Sequence, residues 1–239
     1  MRAERSQQAL LWIGVAGAAI LLSGWLLLGL IPPPAPTWNA AEIVAFYSAP
    51  HARAGIILAI VGGGFSVPWV AVIAIQMMRD EDGTPIWALL QLVTGAVGAL
   101  LFFIPPVLWA GAAFSLNRDP ELTKTIHEVS WIIMITTVSI YPLQWGSVAV
   151  VCFYRKADPT LSAFPRWLGY FTLWFGSFSE LGVLATVFKT GPFAWNGIIP
   201  FWFAILSYSV WSAILIFTLL RAIRMQIADA LAAIPATSS

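Results

Sequence analysis

The stretch Trp167-Leu-Gly-Tyr-Phe-Thr-Leu-Trp-Phe-Gly-Ser-Phe-Ser-Glu180-Leu-Gly-Val-Leu-Ala-Thr-Val-Phe188 decides the class of fold. It is long enough to cross a hydrocarbon core as a helix, which takes ~20 apolar residues. Its one charged residue, Glu180, sits somewhat past the middle. Of the 11 Asp and Glu residues in the chain, Glu180 alone lies deep inside such a run. Inserting a carboxylate at that depth costs at least ~2.5 kcal/mol, which makes an intramembrane ionisable residue a candidate functional site.

The rest of the chain agrees with a membrane reading. Of its 239 residues, 59% are hydrophobic and 10% charged, and the mean hydropathy is +0.83. A soluble domain carries roughly 25% charged residues, so a water-soluble fold is excluded. The net charge is +1 and the basic residues are dispersed, so nothing points to a nucleic-acid-binding surface and no nucleic-acid partner is expected. The single cysteine, Cys152, has no partner for an internal disulfide and reads as a packed apolar residue.

Apolar runs of spanning length fall at 9–31, 54–78, 86–114, 129–153, 166–188 and 198–220, which predicts an all-α, polytopic bundle of six transmembrane helices. The first run follows Met1-Arg-Ala-Glu-Arg5. It is longer than a signal-peptide core and is followed by Pro32-Pro-Pro-Ala-Pro36 in place of a small-residue cleavage site, so a retained anchor is expected. Residues 1–224 then form one transmembrane domain. Residues 225–239 form an amphipathic extension of the last helix and, from Pro235, a disordered tail.

Lys and Arg in the flanks set the orientation. With the N-terminus inside, Arg2, Arg5, Arg79, Arg155, Lys156, Arg166, Arg221 and Arg224 face the cytoplasm, against Arg53, Arg118, Lys124 and Lys189 outside. That bias places both termini in the cytoplasm. On the outer side, Asn39 and Glu42 have the spacing of a capping box ahead of Ile43, Val44, Phe46 and Tyr47, which predicts a short interfacial helix. Asp119-Pro120-Glu121 reads as an N-cap, a proline at the first helical position and an acidic first turn, so the fourth helix is expected to start near Pro120.

Within that fourth helix, Thr123, His127, Ser130, Met134, Thr137, Tyr141, Gln144 and Val148 recur at alternating steps of four and three and share one face. Lipid cannot satisfy these polar groups, so the face is expected to look into the bundle, where it forms interhelical hydrogen bonds or lines a polar cavity. Glu180 lies among the small residues Gly176 and Ser177. With no intramembrane Lys or Arg opposing its desolvation, the protonated form is expected, donating a hydrogen bond toward Gln144 or Tyr141. Prolines at 68, 105–106 and 142 interrupt three helices. Broken helices either build midplane sites or simply shape a bundle. Ser207, Tyr208 and Ser212 add polar groups in the sixth helix.

The two histidines, His51 and His127, are expected on the outer face, where Glu42, Asp119, Glu121 or Glu128 would have to complete a metal site. Their spacing matches no compact metal motif, and neither a metal nor another cofactor is expected. Nucleophile-elbow, zincin, dithiol and phosphate-loop patterns do not occur.

Ala40-Ala-Glu42-Ile-Val-Ala-Phe-Tyr47 with His51-Ala-Arg53 ahead of a Gly-rich second helix, and the phrase Phe188-Lys-Thr-Gly-Pro-Phe-Ala-Trp-Asn-Gly197, resemble a broad group of uncharacterised bacterial integral-membrane proteins. The resemblance implies six helices in a bacterial inner membrane and no activity.

Three functions are compatible with these residues. One is a module that binds or passes a small lipophilic molecule at a midplane polar pocket of Glu180, Gln144, Tyr141, Thr137, Ser177 and Tyr208. Another is an intramembrane enzyme acting on a lipid, isoprenoid or steroid with Glu180 as general acid. The last is an accessory subunit of a membrane complex. Beyond the bilayer, the expected partners are a small lipophilic ligand or a second membrane protein.

Overall fold

The structure, a computed structural model, describes residues 2–65, 67–136, 140–156 and 158–232. Every regular element among them is helical: α1 (Arg2–Leu28), α2 (Ala40–Ser48), α3 (Ala52–Gly64), α4 (Val67–Asp80), α5 (Ile86–Phe114), α6 (Pro120–Ile135), α7 (Tyr141–Phe153), α8 (Arg166–Ser179) and α9 (Ala204–Ala232). A 3-10 turn, Glu180–Thr186, extends α8, and a π-helical turn, Ile198–Phe203, leads into α9.

Four helical stretches are long and apolar enough to cross a membrane: Arg2–Leu28, Ala52–Asp80, Ile86–Phe114 and Ile198–Ala232. The two remaining apolar runs are divided. Run 129–153 is shared between α6 and α7, with Pro142 in the first turn of α7. A proline disfavours α geometry in the residue before it, so a helix restarts there more readily than it continues. Run 166–188 stays α-helical only to Ser179, where the chain tightens into the 3-10 turn. These apolar helices are compatible with an integral membrane protein. Leu22 and Leu26 of α1, Val93 and Leu100 of α5, and Phe217 of α9 are all exposed.

Local chemistry fixes the helix ends. Asn39 Oδ1 accepts from the Glu42 amide at 3.0 Å while Glu42 Oε2 accepts from the Asn39 amide at 2.7 Å, closing the expected capping box of α2. Asp119 Oδ1 accepts from the Glu121 amide at 3.0 Å ahead of Pro120 at the start of α6. The Glu81 carboxylate caps α5 from outside, taking the amides of Trp87 and Ala88 at 3.0 and 2.7 Å. α1 stops at Gly29 (φ +80°), where the Leu30 amide bonds the Trp25 carbonyl at 2.9 Å and the Gly29 amide that of Leu26 at 3.1 Å, the pairing of a Schellman motif.

α1 and α3 pack through glycine. A Cβ at Gly24 would stand 2.5 Å from the Ala59 amide nitrogen, and one at Gly55 would stand 2.6 Å from that of Leu28. Gly17 and Gly62, one heptad away on each helix, repeat the close approach.

The buried apolar residues form two cores. One lies among α4, α7, α8 and α9 and holds Ile73, Trp145, Phe175, Trp211 and Leu219. The second joins α1, α2, α3, α5 and α6 with the 189–197 loop and holds Trp25, Tyr47, Trp109, Trp131 and Trp195. Phe102 of α5 packs against both. The loop docks because the Trp195 indole donates to the Pro34 carbonyl at 2.8 Å and stacks on Trp131 at 6.1 Å and 9°.

At the opposite end of the bundle a polar clasp replaces apolar packing. Gln76 Nε2 donates to Gln7 Oε1 at 2.8 Å, and Gln226 Nε2 donates to Gln76 Oε1 and to the Leu161 carbonyl, each at 2.9 Å, tying α1, α4 and α9 together. Beside it Lys156 pairs with Asp80 at 3.0 Å, and Ser162 donates to Asp80 at 2.6 Å. In the same loop, hydrogen bonds from the hydroxyl and amide of Thr160 hold the exposed Asp158 carboxyl below its usual range.

Candidate functional site

A cavity of about 90 Å³ lies where the two cores meet. Trp25, Ile135 and Phe201 bound it from one core, and Tyr141, Trp145 and Phe175 from the other. Its position follows from the irregular backbone around it: α6 has ended, α7 is starting, and the π turn carries Pro200 and Phe201 into the wall. Irregular backbone at membrane depth is tolerated where it is enclosed by protein or lines a cavity, and π turns recur at functional sites.

The walls are aromatic and rigid. Tyr141 and Trp145 stack at 5.2 Å with their planes 1° apart, and Trp145 packs on Phe175 at 4.6 Å. Gly176 leaves room for Trp145, since a Cβ there would meet its ring at 2.7 Å. Among these apolar surfaces two donors stand idle: the indole N–H groups of Trp25 and Trp145 are buried with no hydrogen-bond partner. An unpaired buried donor costs roughly 1–3 kcal/mol.

The residues singled out from sequence distribute unevenly. Tyr141 and Tyr208 both line the cavity. The Tyr141 hydroxyl donates to the Gly98 carbonyl at 3.2 Å, at one of the places where α7 crosses α5. Tyr208 packs edge-on against Trp69 at 6.3 Å and lies tilted over Phe102 at 5.5 Å. Gln144 is buried behind Tyr141 against Gly95 and Gly98, beside a space of only about 10 Å³. Gln91, in the same helix as Gly95, is fully buried with neither end of its amide partnered.

Glu180 is half-buried at the junction of α8 and the 3-10 turn, within electrostatic reach of Tyr141. Both its carboxyl oxygens are shielded and have no hydrogen-bond partner, so the bond expected toward Gln144 or Tyr141 is not made. Ser177 points away from the bundle: it is exposed and donates to its own helix at Leu173. Thr137 lies outside the described residues. The remaining members of its stripe, Thr123, His127, Ser130, Tyr141, Gln144 and Val148, are all buried, and Met134 partly so.

The histidines separate. His51 is exposed in the turn before α3, whereas His127 is fully buried with Nδ1 2.7 Å from the Tyr47 hydroxyl, boxed by Phe46, Trp131 and Trp195. No group of three or more His, Cys, Asp or Glu among the described residues could hold a metal.

Sequence reasoning missed Trp25, Trp145, Phe102, Phe175 and Phe201. A usable signal existed for the two tryptophans. Both sit inside an apolar run, away from the interfacial belt where tryptophan is ordinarily enriched.

Compared with protein-family models, curated proteins and solved structures, the chain matches none.

Proposed function

We propose that the chain is an integral protein of the bacterial inner membrane that crosses six times, with both termini cytoplasmic, and binds or passes a small lipophilic molecule at the chamber between Trp25, Tyr141, Trp145 and Tyr208. One observation carries the reading: an apolar cavity of about 90 Å³ lies where the two cores meet, between Trp25, Phe201, Tyr141, Trp145 and Phe175. Apolar walls suit a lipophilic guest. The divided runs 129–153 and 166–188 supply the fifth and sixth crossings, in the manner of discontinuous helices that enclose midplane sites. The Lys and Arg bias of the flanks supports the orientation.

A second reading, an intramembrane enzyme using Glu180 as general acid, is favoured by its two unpartnered oxygens near Tyr141. It needs a second acid or base at the reacting atoms. Tyr141 is one candidate, and its hydroxyl is engaged by the Gly98 carbonyl.

Filling the chamber tests the first reading. Ala204 lines it, so Ala204→Leu projects its added carbons into the vacant space. Wild type and variant are purified in detergent, checked for equal thermal unfolding, and their small molecules extracted and weighed by mass spectrometry. A lipophilic compound present in wild type and several-fold depleted in the variant is expected. Equal content in both overturns the chamber as the site.

A further inference from the structure

At the end of the bundle that carries the glutamine clasp lies a pocket of about 410 Å³. Arg79, Asp80 and Asp82 line it from the end of α4, and Arg155, Lys156 and Asp158 from the chain leaving α7. Three positive and three negative side chains thus surround one space. Lys156 and Asp80 are largely buried and neutralise each other at 3.0 Å, with Lys156 also donating to the Val151 carbonyl and Asp80 accepting from Ser162. The other four are exposed. Arg79, Arg155 and Asp82 engage no other described residue by hydrogen bond or ion pair, and Arg79 lies within electrostatic reach of Glu4. Asp158 takes the amide and hydroxyl of Thr160 on Oδ1 alone, and these bonds favour its ionised form.

The pocket stands at the height of a membrane surface. Asp80 ends the candidate span Ala52–Asp80, and Arg155 follows closely on the apolar run 129–153. Tyr154, next to Arg155, is exposed, and so are Trp167 and Tyr170 at the start of α8. Tyrosine and tryptophan collect at the level of lipid headgroups. A phosphate matches two guanidinium forks, yet a purely anionic head would also bring its charge against Asp82 and Asp158. A head that carries both a phosphate and a cation meets each pair with the opposite sign. Choline is unsuited, because a quaternary ammonium has no N–H for a carboxylate and is held by aromatic faces, and no described aromatic side chain lines the pocket. A primary ammonium has three N–H donors, enough for both aspartates.

We infer that the pocket holds the headgroup of a zwitterionic phospholipid with a primary amine, as in phosphatidylethanolamine, its phosphate on Arg79 and Arg155 and its ammonium on Asp82 and Asp158. The site is separate from the chamber and rests only on membrane insertion, one part of the function proposed above. A head bound there bridges the α4–α5 turn, which carries Asp82, and the α7–α8 loop, which carries Asp158.

The test returns the delipidated full chain to nanodiscs made from equal parts of dioleoyl phosphatidylethanolamine, phosphatidylglycerol and phosphatidylcholine. The protein is then released into mild detergent and its bound lipids are counted by native mass spectrometry. Wild type is expected to keep phosphatidylethanolamine about fivefold over either other lipid, a factor in the range of paired but solvent-exposed charges. Asp82→Asn with Asp158→Asn should erase the preference over phosphatidylglycerol and leave the Thr160 turn intact, since an Asn oxygen accepts the same bonds. Arg79→Gln with Arg155→Gln should lower retention of all three lipids. If that pair inserts poorly, Arg79→Lys with Arg155→Lys keeps the charge and removes only the fork, and a smaller loss in the same direction is expected. Phosphatidylglycerol kept best would make the pocket a plain cationic site, and phosphatidylethanolamine kept no better than phosphatidylcholine would show that no ammonium contact forms. Either result overturns the inference. A preference that survives both pairs of substitutions places the lipid elsewhere, and displacement of the lipid by soluble glycerophosphoethanolamine assigns a free phospho-amine in its place. Failure to enter nanodiscs at all would remove membrane insertion itself, on which the chamber reading also rests.

Discussion

The Tyr47 hydroxyl and His127 Nδ1 lie 2.7 Å apart in a fully buried contact that joins α2 to α6 across 80 residues of chain. Phe46, Trp131 and Trp195 surround the imidazole, so water cannot replace either partner. Tyr47→Phe is expected to cost about 1–2 kcal/mol by leaving the ring nitrogen unpaired. His127→Phe should cost a similar amount, and the double variant less than the sum. Thermal unfolding in detergent across this four-member cycle measures the coupling, and additive losses would show that the bond contributes nothing.

Gly24 marks a close approach of α1 and α3. A Cβ placed there would stand 2.5 Å from the backbone nitrogen of Ala59 and 2.7 Å from the Gly55 carbonyl oxygen, neither of which can swing aside. Gly24→Ala is therefore expected to force the helices apart and destabilise by about 1–3 kcal/mol. Gly111→Ala in α5 is the control. Nothing stands within 4 Å of its Cβ position, and helix propensity alone favours it by up to ~1 kcal/mol. Chemical denaturation of both variants separates the two effects.

Gln76 is bonded to both Gln7 and Gln226. Gln76→Leu leaves the Gln7 carbonyl oxygen and part of the Gln226 amide buried without partners, for an expected loss of about 2–3 kcal/mol. Replacing all three glutamines by leucine should be less damaging than the single change, because no idle polar side chain remains and only the part-buried Leu161 carbonyl loses a donor. A triple variant weaker than Gln76→Leu would contradict this.

Glu180 makes no hydrogen bond through either carboxyl oxygen. Glu180→Gln and Glu180→Ala are accordingly expected to unfold within about 0.5–1 kcal/mol of wild type, since no partner is stranded. A binding or proton-transfer role would still be lost in both. A sharp loss of stability confined to Ala would reveal a partner that the carboxyl holds in the membrane.

The six crossings proposed above would place the C-terminus and the 115–119 loop on opposite sides of the membrane. A cytoplasmic reporter fused after Ala232 should be active and the same reporter inserted at 115–119 silent. The reverse pattern would invert the orientation assigned from the basic flanks.

Features set by neighbours in the chain were legible in the residues themselves. The capping box at Asn39 and Glu42, the helix start at Pro120 and the inward face of α6 and α7 depend on contacts within one or two turns or on a helical period, and the structure carries each of them. Apolar length identified four helices able to span a membrane. Pro142 marked the break between α6 and α7, but residue spacing could not supply the tightening of α8 at Glu180, because length and hydropathy do not register it. The chamber itself was out of reach. Trp25, Phe102, Trp145 and Tyr208 come from four helices and meet only after packing, and the burial of His127 depends on Tyr47 and Trp195, far from it in sequence. Sequence determined which segments leave water, since that follows from local transfer energy. Tertiary structure alone decided which donors remain unpaired and where two cores fail to close, since both depend on the sum of contacts from distant segments.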